Sequence, residues 1–133
     1  MKKIFFSLTV FFLLFSSICF AGEWNVTGSL NQGREGAPSG IFDNGDVMIC
    51  GGIANCIVLS SCEIYDPMTE QWSETDSMTF ERRDFPLVKF RHNDVKKFLA
   101  AGGTTSLVAE IFDPQSLTWS ETGSMHYWRL EAP

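Results

Sequence analysis

Three cysteines, Cys50, Cys56 and Cys62, stand at intervals of six residues in a chain of 133. Such thiols offer either a disulfide or a metal site. Neither histidine, His92 or His126, lies near them, and an even six-residue spacing matches no common zinc-ligand pattern, so a disulfide is the better chemistry. With the fourth cysteine, Cys19, set aside in the first 21 residues, the odd number left allows one bridge and leaves one thiol over.

Arginine and glutamate supply the other reactive candidates. Arg34, Arg82 and Arg129 each follow a tryptophan or its counterpart by ten residues, and a guanidinium can grip a ligand carboxylate with two parallel hydrogen bonds. The alternative is a structural arginine that bonds loop carbonyls or a nearby glutamate. Glu63 and Glu110 recur 47 residues apart. Paired carboxylates suit acid and base work, but two copies of one repeat position stand a unit apart and do not face each other across a substrate. No nucleophile, base and orienting group can be assembled from neighbouring motifs, and the glycine pairs lack the strand-to-helix setting of a phosphate loop. No catalytic residue, metal or cofactor is expected.

The elements that position these residues are repeated. WNVTGSL at 24–30, WSETDSM at 72–78 and WSETGSM at 119–125 align with shared Trp, Thr at +3, Ser at +5, Arg at +10 and Pro at +14. Between them CGG at 50–52 is answered by AGG at 101–103, and CEIYDPMTEQW at 62–72 by AEIFDPQSLTW at 109–119. A period near 48 residues means one supersecondary unit used again.

Each part of the unit has a physical role. SGIFDNGDVMICGG reads as two strands about an Asp43-Asn44-Gly45 turn, whose residues tolerate positive φ. Gly51-Gly52 and Gly102-Gly103 let the backbone pass close to a neighbour or take angles a Cβ forbids. EIYDP and EIFDP alternate like a half-buried third strand. Asp66-Pro67 and Asp113-Pro114 start turns in which proline presets φ and aspartate bonds the backbone ahead. A fourth strand carries Trp72 or Trp119 as a cover for the core. The prediction is all-β, one four-stranded antiparallel sheet per unit, with little helix.

This combination of Gly51-Gly52 and Gly102-Gly103, Tyr65 and Phe112, Asp-Pro turns and the tryptophans at 24, 72 and 119 resembles the kelch repeats of β-propellers. The resemblance implies two blades, at about 34–75 and 82–122, with a partial third unit at 123–133. It also implies that the arginine linkers lie towards a central channel, which makes Arg34, Arg82 and Arg129 candidate ligand contacts. Galactose-oxidase-like enzymes share the fold and hold copper with histidine and tyrosine, but the two histidines and two tyrosines here are scattered. Two blades are fewer than the four to eight that close a propeller, so self-association or further blades are expected. The second unit runs 20 residues from Arg82 to Gly102 against 17 from Arg34 to Gly51, which suggests a longer first turn around FRHNDVKK.

The first 21 residues stand apart. Lys2 and Lys3 precede an apolar run from Ile4 to Phe20 and then small residues, the order of a secretory signal cut after Ala21. A retained membrane anchor is the alternative, since this run is at the lower limit for spanning. Lipidation at Cys19 is disfavoured by the preceding Ile18. Loss of this segment removes two lysines and no acid and takes the formal charge from −6 to −8. So acidic a chain argues against nucleic acid and anionic membranes as partners. Asn25-Val26-Thr27 also fits a glycosylation sequon, although the repeat already accounts for Thr27.

In an exported chain the cysteines meet an oxidising environment. Cys50 and Cys62 correspond to Ala101 and Ala109 and sit on neighbouring strands, which makes them the first pairing. Cys56–Cys62 is the alternative, with Cys56 in the loop between. The expected function is a secreted or periplasmic module that recognises a protein or carbohydrate ligand through loops. A fragment of a kelch-fold enzyme, such as a sugar epimerase or an oxidase, and a truncated product without activity of its own are the rivals.

Overall fold

A computed structural model describes residues 23–127 of the chain. The expected leader at 1–21, Arg129 and the end of the third unit lie outside the described residues. Within them the chain forms ten strands: β1 Ser39–Ile41, β2 Val47–Cys50, β3 Ile53–Ala54, β4 Ile57–Val58, β5 Cys62–Asp66, β6 Gln71–Thr75, β7 Leu87–His92, β8 Val95–Ala100, β9 Val108–Asp113 and β10 Thr118–Ser124. Two four-stranded antiparallel sheets, ordered β1-β2-β5-β6 and β7-β8-β9-β10, match the two predicted units, and β3 and β4 form a small hairpin of their own.

The turns follow from the residues. Around Asp43-Asn44-Gly45 the Phe42 amide donates to the Asp46 carbonyl at 2.8 Å, and Gly45 takes a φ of 99°. After each Asp-Pro the aspartate accepts a backbone amide two residues on, Met68 at 2.7 Å and Gln115 at 2.9 Å. Both of these turns close on a residue with positive φ, Glu70 and Leu117. Asp66 is held below the ordinary aspartate range by the Met68 amide and the Thr69 hydroxyl; Asp113 is lowered first by the Lys97 ammonium and then by the Gln115 amide.

The extra residues of the second unit do not lengthen its turn. β7 and β8 are each six residues long and meet through the two-residue turn Asn93-Asp94, both at positive φ, whereas β1 and β2 have three and four residues. An Asn-Asp pair tolerates the left-handed conformation a tight hairpin needs, so the insertion extends the ladder.

Directly opposed residues of an antiparallel ladder point to the same side of the sheet. In the first sheet Gly40 opposes Met48, Met48 opposes Ile64 and Cys50 opposes Cys62. In the second, Leu87 opposes Ala100, Phe98 opposes Phe112 and Phe112 opposes Trp119. These two sides face each other, and Met48, Cys50, Cys62, Phe98, Ala100 and Phe112 form one buried cluster with Met78 and Phe85 of the linker. The core therefore lies between the sheets. Each large apolar side chain fully buried there stabilises the fold by about 1.5–3 kcal/mol. A Cβ at Gly40 would stand 2.5 Å from Cε1 of Phe98, so the missing side chain is what lets the sheets approach.

The outer side of the second sheet has no sheet against it among the described residues. Val88 is exposed there, and Phe90, Leu99, Ala101 and Ile111 are half-buried. The opposite outer side, carrying Ile49, Tyr65 and Trp72, is partly covered by the segment 27–35, with the Trp72 indole donating to the Gly28 carbonyl at 3.0 Å. Trp72 and Trp119 are each half-buried, with ring centres 5.2 Å from Tyr65 and Phe112 respectively. Trp24 departs from its repeat role. It is 101 % exposed, because no described strand precedes it to supply a sheet for its ring to cover.

Candidate functional site

The arginines and glutamates singled out by the repeat are brought together in pairs. Arg34 reaches from the linker ahead of β1 to Glu63 on β5, Nη2 to Oε1 at 2.7 Å, and Arg82 reaches from the next linker to Glu110 on β9 at 2.9 Å. The same guanidinium of Arg34 donates to the carbonyls of Gly51 at 2.9 Å and Ser61 at 2.8 Å. Arg82 donates to Gly102 at 2.8 Å and Val108 at 2.6 Å. Each glutamate also accepts from its linker, Glu63 from the Asn31 and Gln32 amides and Glu110 from the Thr79 and Phe80 amides.

This geometry corrects the reading of Arg34 and Arg82 as ligand contacts. Their side chains are 1 % and 0 % exposed, and their hydrogen bonds run to the protein's own carbonyls and carboxylates. A buried charge is tolerated only when paired and fully hydrogen-bonded. These residues therefore lock each linker to the strand it crosses. The sequence shows that Arg and Glu recur together; it does not show that the linker folds back over its own unit.

The glycine pairs make room for that crossing. Gly51, Gly52, Gly102 and Gly103 all have φ between 63° and 89°. The Gly52 amide donates to the Arg82 carbonyl at 2.8 Å, and the Arg83 amide to the Gly103 carbonyl at 3.0 Å. A Cβ on Gly51 or Gly103 would collide with the carbonyl of Arg82 or Arg83. Thus both requirements, left-handed backbone and close approach, hold at once.

Cys50 and Cys62 form a disulfide across β2 and β5, with Cα atoms 4.2 Å apart and in direct register. Cys56 is not on an unstructured loop. It occupies the exposed turn of the β3–β4 hairpin, and Asn55 and Cys56 there have φ of 50° and 64°. That hairpin went unread because its turn has no glycine. The histidines stay apart from the cysteines: His92 ends β7 beside Asn93, and His126 is exposed.

The linkers and loops are tied into one rim at the end of the sheets. The Glu35 amide donates to the Ile53 carbonyl at 3.1 Å, the Asp84 amide to the Gly36 carbonyl at 2.9 Å, and the Arg83 amide to Gly103 as above. On this rim Ile57 is 65 % exposed, and the Arg83 and Asp84 side chains are about half exposed. Ile57, and Leu107 in the equivalent loop of the second blade, give the rim apolar tips beside these charged groups.

Residues 38–79 match the Kelch motif. The first sheet lies wholly within that match. The chain is also 46% identical over 50 residues to Kelch-like protein 7 of Rattus norvegicus and, to the same extent, to that of Mus musculus; the match takes in 38% of this chain and 8% of those proteins. In shape it is similar to the solved structure of YjhT, with a TM-score of 0.65, 19% identity and coverage of 80% of this chain and 43% of that one. The chain thus spans less than half of the solved protein and a small part of the curated relatives it matches. The two sheets are Kelch-type blades, the second built on the first's plan, and the described residues do not close a propeller ring.

Proposed function

We propose that this chain is a secreted, non-catalytic Kelch-repeat module that recognises a protein or carbohydrate ligand through the rim of linkers and loops at one end of its blades. The hydrogen-bonded continuity of that rim carries the reading: Glu35 to Ile53, Gly36 to Asp84 and Arg83 to Gly103 hold loops from both blades as one surface. Loops on a rigid scaffold are where binding groups concentrate. The disulfide agrees with export to an oxidising compartment. The open outer side of the second blade would be covered by another blade, from a second copy or from further chain, as the first blade is covered by the second.

The test is a selection against an oligosaccharide array and a displayed peptide library, run with the wild type and with the rim variants Ile57→Asp and Arg83→Glu. A ligand enriched by the wild type and lost by the variants supports the reading. No enrichment in either class, or enrichment that ignores the rim, overturns it.

A further inference from the structure

At the other end of the blades, where the β1–β2, β7–β8 and β9–β10 turns lie, a cleft of about 410 Å³ opens between the two sheets. Phe42, Ile64 and Leu117 give it apolar lining, and Lys89 and Lys96 form one wall. A smaller hollow beside it is lined by Lys89, Phe90, Arg91 and Lys96.

The charge on this wall runs against the rest of the molecule. The chain carries a formal −6, yet Lys89, Arg91, Lys96 and Lys97 fall within nine residues. Arg91 directly opposes Lys96 in the ladder, and Lys89, two residues before Arg91, points to the same side. Like charges placed opposite each other destabilise a strand pair, so the fold alone does not account for this arrangement. Three carboxylates, Asp43, Asp46 and Asp94, line the same cleft, but only Asp43 reaches the two lysines. Lys89 and Lys96 share one oxygen of Asp43, at 2.6 and 2.9 Å, and Arg91 has the exposed Asp94 at 3.7 Å. Asp46, on the facing turn, is engaged by the Asn44 amide at 2.8 Å.

Each lysine ammonium has three donors. Lys89 uses two, on the Ile41 carbonyl and Asp43, and Lys96 uses one. Three N–H groups are therefore left to meet an incoming oxyanion, next to an apolar floor. Lys97, by contrast, lies on the other side of the sheet and is paired with Asp113 at 2.9 Å.

We propose that this cleft binds a small organic anion, a carboxylate or phosphate group on a short apolar body, with the anion against Lys89 and Lys96 and the body over Ile64 and Phe42. The site is separate from the loop rim and does not depend on it. Asp43 is then the built-in competitor for the same two lysines. Its carboxyl is held below the ordinary range by hydrogen bonds from Lys89 and Lys96, so it stays charged.

Amide chemical-shift titration of the purified chain with 3-phenylpropionate tests this, with 3-phenylpropionamide and inorganic phosphate as companion probes. Saturable shifts at 42–46, 89–98 and 114–117 are expected, with the neutral amide weaker by roughly tenfold, the loss of one charge-assisted contact. Lys96→Gln should weaken the carboxylate to a similar extent, and Asp43→Asn should tighten it, a gain that a purely structural Asp43 would not produce. Should Lys96→Gln fail to fold, Lys89→Gln replaces it and should weaken binding likewise. Competition by phosphate identifies the anion as the recognised part and phosphate as a second source of it. If phosphate instead leaves the carboxylate in place, the oxyanion assignment is wrong. Equal binding of the carboxylate and its amide, or shifts confined to the rim, overturns the proposal.

Discussion

Where the first blade joins Cys50 to Cys62, the second has Ala101 and Ala109 at the corresponding places, next along the ladder from the Ala100–Glu110 pair. The same blade that carries the bridge has the shorter inner strands, three and four residues against six and six, and the longer connection between its middle strands. Short strands bring fewer ladder hydrogen bonds. A long connection leaves more chain freedom for a crosslink to remove. The second blade reaches the same architecture with a longer hairpin and with Phe98 and Phe112 buried at 0 % exposure. A small side chain is thus all the Kelch plan requires at these positions, and the bridge is an addition made in the blade with the shorter first hairpin.

The ion pairs test how far the likeness between blades extends. Arg82 and Glu110 lie between the two blades, whereas Arg34 and Glu63 hold the first linker against a side that no further sheet covers among the described residues. Arg82→Ala would leave Glu110 buried without its partner, and breaking a buried pair from one side costs about 3–5 kcal/mol. Arg34→Ala should cost less, because water can reach the vacated position from the open side. Urea unfolding of the two variants gives the comparison. Equal losses would mean that the inter-blade setting adds nothing to the pair.

Removing the bridge comes next in size. Cys50→Ala with Cys62→Ala gives the first blade the side chains the second already has, so little beyond the crosslink is lost. With a sequence separation of 12 the expected cost is about 2–3 kcal/mol. An unfolding midpoint unmoved from the oxidised wild type would show that the connection through β3 and β4 already restricts the unfolded chain.

The repeat made most of this readable. Strands, Asp-Pro turns and glycine pairs are local, and their residues carry the reason for their shape: proline presets φ at 67 and 114, and only glycine fits where the Arg82 and Arg83 carbonyls press in. The Cys50–Cys62 pairing could be reasoned from the alanines opposite. The interior direction of Arg34 and Arg82 could not, because it depends on a linker lying across its own unit, a long-range fact with no periodic signature. The anionic setting of Asp43 beside Lys89 and Lys96 was equally hidden. Those residues are 46 and 53 apart and meet only when one blade stacks on the other. Trp24 misled for a related reason: its motif is intact, but a motif supplies no sheet to cover.

The smallest difference between the blades is a single oxygen. Thr27 hydrogen-bonds the hydroxyl of Tyr65, an exposed contact that joins the segment ahead of the first blade to its third strand. One unit later the same positions hold Thr75 and Phe112. Phenylalanine has no hydroxyl to offer, and the Thr75 Oγ1 is buried without a hydrogen-bond partner. The orphan is what the repeat leaves behind when Tyr becomes Phe between two stacked sheets. Phe112→Tyr should restore the missing partner and raise stability by about 0.5–1.5 kcal/mol, the net worth of one intramolecular hydrogen bond. Tyr65→Phe should change little, since Thr27 is exposed and turns to water. A gain in Phe112→Tyr beside a near-zero change in Tyr65→Phe in thermal unfolding would establish that the blades differ at this site by satisfaction of Thr75. A loss of stability in Phe112→Tyr would instead mean that Phe42, packed edge-on against the ring, and its neighbours leave no space for the added oxygen.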